Sequence, residues 1–147
     1  MQSGTTLDRL NEVAAALPLR VAALNRLFLK RTSVDLARTE ASVMAAIADG
    51  PRRITDLACA TGVTQPAMTL LVNRLQERGL VSREPDPDDR RAVRVALTPP
   101  GVEIFGQLQE EYRALLHREM ASLAEDDVEV LARATQVIDR LIARLED

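Results

Sequence analysis

Residues 53–98 read RITDLACATGVTQPAMTLLVNRLQERGLVSREPDPDDRRAVRVALT, and this stretch decides the fold. Thr55 is placed to cap a helix over residues 56–61, with Leu57 and Ala58 turned inward, and Gly62 stands in the turn that follows. Thr64 caps a second helix running to about Arg78, and Pro66 falls in its first turn, where a missing N–H costs little. Gly79 is the expected C-terminal cap, because a residue without Cβ adopts the left-handed conformation freely. Two helices of these lengths, joined by a short turn containing glycine, form a helix-turn-helix unit. Residues 80–84 and 92–97 then alternate in polarity around PDPDDRR at 85–91, a hairpin with a charged tip stiffened by proline.

The second helix divides cleanly by spacing. Met68, Leu71, Val72 and Leu75 share one face and can seat the helix on a core, while Gln65, Thr69 and Asn73 recur at four-residue steps on another, with Arg74 beside them. Gln and Asn can each grip an adenine edge at two points, Thr can meet a thymine methyl, and Arg can hold phosphate or guanine. The same pattern also suits an ordinary amphipathic helix with a solvated polar face. At the hairpin, Arg90, Arg91 and Arg94 stand near an exposed tip, where a projecting arginine suits a narrow, electronegative minor groove. Asp89 is placed to orient Arg91 by a charge-assisted hydrogen bond. A solvated charge run is the alternative there.

Outward from this unit the chain is helical. Leu7, Leu10, Ala14, Leu17, Val21, Leu24 and Phe28 form an amphipathic seam over residues 5–30, with Thr5 and Asp8 as a capping pair and Pro18 marking a kink or a break into two helices. Residues 39–48 form a short helix ended by Asp49-Gly50-Pro51. Thr98 and Pro99 open a helix reaching about Ala121, and Ser122 with Glu125 forms a capping box for a last helix, whose seam is Leu131, Ala134, Ile138, Leu141 and Leu145. The fold expected is mainly α with a small β-hairpin wing, a winged helix-turn-helix over residues 37–100 with dimerisation helices at 1–36 and 101–147.

The 147 residues suffice for a single domain, or two intergrown lobes, without disulfide or metal staples. Only Phe28, Phe105 and Tyr112 are aromatic, so the core must be aliphatic. One cysteine, Cys59, and one histidine, His117, cannot make a disulfide or a typical zinc site. Cys59 lies between small residues, which favours a buried, inert thiol over a redox sensor. His117 reads as a surface helix residue. No cofactor or metal is expected. With no leader-like N-terminus and no long apolar run, a cytoplasmic setting is expected and a membrane partner is not. The formal charge of −3 is uneven: residues 1–49, 50–94 and 95–147 sum to +1, +2 and −6. Because screening confines exposed charges to about 10 Å, the basic patch outweighs a distant acidic end, and nucleic-acid binding is not excluded.

Residues 54–101 resemble the winged-helix core of the MarR family, most specifically in the GLV-x-R, D-x-R and LT-x-x-G elements at 79–83, 89–91 and 97–101. The resemblance implies a sequence-specific, DNA-binding transcriptional regulator, a repressor released by a small aromatic or phenolic effector, bound as a homodimer to a palindrome-like operator. It implies that residues 64–74, including Thr64, Gln65, Pro66, Thr69, Asn73 and Arg74, lie in the major groove, that Thr55 joins the DNA-binding set, and that Arg91 enters the minor groove braced by Asp89. Two positions depart from the pattern: Leu70 replaces a frequent basic residue and Asn73 a frequent aspartate. Arg20, Arg26 and Arg31 could meet an anion but fit a solvated helix face better, so the effector site is unassigned. An enzyme is not expected, since no nucleophile and base pair, phosphate-cradling loop or metal cluster stands in the sequence. A winged-helix module that binds protein rather than DNA, and a cysteine-based redox regulator, are the alternative readings.

Overall fold

The computed structural model describes residues 2–146. In chain order the elements are α1 (Gln2–Arg31), α2 (Arg38–Ala46), β1 (Arg52–Arg53), α3 (Ile54–Thr61), α4 (Gln65–Glu77), β2 (Val81–Pro85), β3 (Val93–Leu97), α5 (Pro99–Met120) and α6 (Glu125–Glu146). They fall into two compact units, one up to Glu111 and one from Tyr112 onward, with the boundary inside α5.

The core of the first unit is aliphatic, as the near absence of aromatic residues requires. Met44 on α2 and Ile47 at its end, Leu57 on α3, Met68, Val72 and Leu75 on α4, Val81 and Val95 on the sheet and Leu108 on α5 are essentially inaccessible to water. Each such side chain contributes roughly 1.5–3 kcal/mol, so burial outweighs any single cap in holding the lobe together. The sheet is antiparallel in the order β1-β3-β2. Arg83 stands opposite Val95, and Glu84 opposite Arg94, which in turn faces Arg53 of β1. A two-residue strand shows no alternation, and β1 is therefore invisible to a periodicity reading. It forms because the chain entering α3 runs along the open edge of β3.

Two devices lock the ends of the helix-turn-helix. Glu40 on α2 is buried, and its Oε2 accepts hydrogen bonds from the Ala37 N–H at 3.0 Å and from Arg78 Nη1 at 2.9 Å, while Arg78 Nη2 donates to the Asp35 carbonyl at 2.5 Å. Arg78, just past α4, is thus tied to the start of α2. At the base of the hairpin, Gly79 has φ 72 and its carbonyl accepts from Thr98 Oγ1 at 2.5 Å; Thr98 Oγ1 in turn accepts the Gly101 N–H at 3.1 Å. A Cβ on Gly101 would sit 1.9 Å from the Leu80 carbonyl oxygen, so the first turn of α5 lies directly on the strand entry.

Several helix boundaries differ from expectation. α1 is continuous through Pro18, so the break into two helices does not occur: strong helix formers flank the exposed proline, and Ala14, whose carbonyl it leaves without its helical partner, is exposed. α1 also begins at Gln2, ahead of Thr5, so the Thr5 and Asp8 pair is not at its start. Arg53, not Thr55, holds the N-cap position of α3, because β1 leads straight into the helix. α6 starts at Glu125 after Ala124, and Ser122 Oγ donates back to the Glu119 carbonyl at 2.8 Å instead of capping. Glu125, Asp126 and Asp127 crowd its first turn and complement the positive end of the helix dipole.

Considered alone, α6 leaves its apolar seam uncovered. Leu131, Leu141 and Leu145 are 43%, 42% and 86% exposed, and Val137 and Ile142 are also open to solvent. In the first unit, Leu7, Leu10, Val21 and Leu24 of α1 are likewise exposed.

Candidate nucleic-acid interface

α4 is built as its spacing predicts. Thr64 occupies the N-cap position, its hydroxyl accepting the Ala67 N–H at 3.4 Å. Met68, Leu71, Val72 and Leu75 are buried, whereas Gln65, Pro66, Asn73 and Arg74 are exposed and Thr69 is half-buried with its hydroxyl donating to the Gln65 carbonyl at 3.0 Å. Leu70 is 62% exposed, an apolar side chain in the middle of an otherwise polar surface.

Arg83 on β2 crosses to this helix. Its Nη2 donates to Asn73 Oδ1 at 2.6 Å and its Nη1 to Gln76 Oε1. The strand that leads into the wing is therefore pinned to the polar face of α4. The two-point adenine contact expected of Asn73 uses its carboxamide oxygen, and here that oxygen accepts from Arg83.

The wing is organised by a residue that spacing did not single out. Asp86 is only 5% exposed, and its Oδ2 accepts from Arg53 Nε at 2.7 Å while its Oδ1 accepts the N–H groups of Asp88 and Asp89 at 2.9 and 3.1 Å. The Arg53 guanidinium and these amides hold the Asp86 carboxyl far below the usual carboxylate range. The PDPD run at 85–88 carries the signal that could have found it, since aspartate commonly bonds the backbone two residues onward. Asp89 Oδ1 accepts the backbone N–H of Arg91 at 3.0 Å, so its brace acts on the main chain rather than on the guanidinium. Arg90 and Arg91 are exposed at the tip. Arg94 is not at the tip: it lies in β3, where Nη2 meets Glu84 Oε1 at 2.7 Å and a buried Nε has no hydrogen-bond partner.

Of the remaining candidates, Thr55 is exposed in the first turn of α3 and His117 is exposed on α5. Cys59 is exposed, not buried as its small neighbours suggested, because the inward face of α3 is taken by Leu57 and Ala58. A cavity of about 330 Å³ opens between α1 and the α2 region, lined in part by Pro18, Val21, Asn25, Arg38 and Ser42. Among the described residues, no cluster of His, Cys, Asp and Glu could hold a metal ion, and no helix is long and apolar enough to cross a membrane.

Known proteins share this arrangement. The profile of the MarR family matches residues 34–92. A MarR-like transcriptional regulator from Thermotoga maritima is 30% identical, the match covering 90% of this chain and 97% of that one with a TM-score of 0.64. The chain belongs to the MarR family. Wild-type MarR in its apo form, from E. coli, is 25% identical to this MarR-family chain over 88% of it and 96% of the E. coli protein, with a TM-score of 0.71. The HTH-type transcriptional repressor IacR of Pseudomonas putida is 30% identical over 90 residues, 61% of this chain; the match spans about half, 54%, of IacR itself. MarR-family proteins are DNA-binding transcriptional regulators and not enzymes, and the winged helix read from residues 53–98 is the fold of this member.

Proposed function

We propose that this regulator represses transcription as a homodimer on a palindrome-like operator and is released by a small aromatic or phenolic effector in the cytoplasm. The observation that carries the reading is the polar, exposed face of α4 beside an arginine-tipped wing whose base is held rigid by Asp86. Gln65, Thr69 and Asn73 meet base edges in the major groove; Thr55, Thr64, Pro66 and Arg74 position the backbone; Arg90 and Arg91 serve the minor groove, with Asp89 and Arg94 shaping the wing. The uncovered seams of α1 and α6 support pairing with a second copy, which sets two α4 helices on half-sites about 10 bp apart. The cavity beside α1, about 330 Å³, is of the size that takes a small ligand.

Fluorescence anisotropy with random duplex DNA across a salt series tests the class: affinity falls linearly with salt on logarithmic axes for a protein that neutralises phosphates. Absence of binding, or binding indifferent to salt, favours a protein partner instead. Arg91→Ala weakens binding to a selected operator while the dimer persists in light scattering. Equal affinity in a gel-shift titration removes Arg91 from the interface.

A further inference from the structure

We propose that Arg83 sets what Asn73 can read, turning its NH2 rather than its oxygen to the bases and so selecting a G·C pair rather than an adenine. The proposal rests on the reading of α4 as the helix that enters the major groove. A guanidinium has five donors and no acceptor, so the carboxamide atom it meets at 2.6 Å is the oxygen, Oδ1. The same guanidinium takes the Gln76 carboxamide oxygen with its other terminal nitrogen. One planar cation therefore holds two neighbouring carboxamides by their oxygens.

The consequence follows from the edge patterns of the bases. Adenine offers an acceptor at N7 and a donor at N6, and a side-chain amide grips it at two points only if its oxygen and its NH2 are both free along one edge. Arg83 takes one of the two lone pairs of Oδ1 from the β2 side and turns the oxygen toward itself, so that Asn73 presents its two N–H donors in preference to the mixed edge. Guanine presents two adjacent acceptors, O6 and N7, which match the two N–H donors, whereas the adenine N6 amino group opposes them. The exposed NH2 of Asn73 is therefore complementary to guanine.

Selection from random duplex libraries, read by sequencing, tests this with the full chain. Asn73→Ala identifies the base pair that Asn73 governs, and the wild type prefers G·C there by about ten-fold. Arg83→Met frees Oδ1 and moves that same position to A·T. Asn73→Asp keeps the Arg83 contact but lacks the NH2, and erases the G·C preference without shifting it to A·T, so the proposal does not depend on Arg83→Met folding well. A wild-type A·T preference at that pair overturns the proposal, as does an Arg83→Met motif identical to the wild type or an Asn73→Ala motif unchanged throughout. A wild-type protein that enriches no motif at all overturns sequence-specific reading itself, a distinct outcome.

Discussion

Gly101 has no room for a methyl group. Its ideal Cβ position lies 1.9 Å from the Leu80 carbonyl oxygen, which is backbone and already accepts the Thr98 N–H at 3.1 Å, so neither side yields easily. Gly101→Ala is expected to cost at least the about 1–3 kcal/mol of ordinary overpacking, with each kcal/mol lowering Tm by roughly 2–4 °C in a chain of this size. Thermal denaturation followed by circular dichroism checks this; an unchanged Tm removes the close approach. The LT-x-x-G element at 97–101 announced a helix start and no more, because a one-residue code carries no sign of what backbone lies above it. Asn73 illustrates the same gap. Its place on the outward face of α4 was legible from four-residue spacing, but its partner Arg83 comes from another element, and spacing along one helix cannot report a contact across the fold.

At the scale of elements, the wing depends on one carboxylate. Asp86 ties β1 through Arg53 and the tip through two amides, and its folded pKa is depressed. A depressed carboxylate contributes stability that is fully present above its unfolded value, about 3.9, and is lost as pH falls through the folded value. The stability gap between wild type and Asp86→Asn should therefore be constant near neutrality and close only in acid, below about pH 4. Chemical denaturation at several pH values measures it, and a gap that closes between pH 6 and 8 contradicts the assignment. The hairpin itself was legible because residues 80–84 and 92–97 alternate around a turn-rich loop. The third strand was not, being two arginines long, and its role in steadying the wing is carried by Arg53, which reads in isolation as one more surface cation.

For the whole molecule, the dimer proposed above would cover the exposed apolar seams of α1 and α6. Leu131→Glu together with Leu141→Glu on α6 is expected to give a monomer by size-exclusion chromatography with light scattering. Operator affinity then falls on the order of a hundred-fold or more, since two tethered half-site contacts become one. A dimer that survives both charges places the interface elsewhere. The seams were legible from three- and four-residue spacing in both terminal helices. What they meet was not, because a repeating apolar stripe looks the same whether it faces its own chain or another.

The tether of Arg78 to Glu40 and to the Asp35 carbonyl bears on protein engineering. Residues 64–77 look like a cassette that could be exchanged to retarget the protein to a new DNA sequence. A grafted helix that ends without arginine at 78 removes one of the hydrogen-bond partners of buried Glu40, so the chimera is expected to lose stability whatever its new specificity. Position 78 belongs to the chassis, and a working exchange stops one residue short of it.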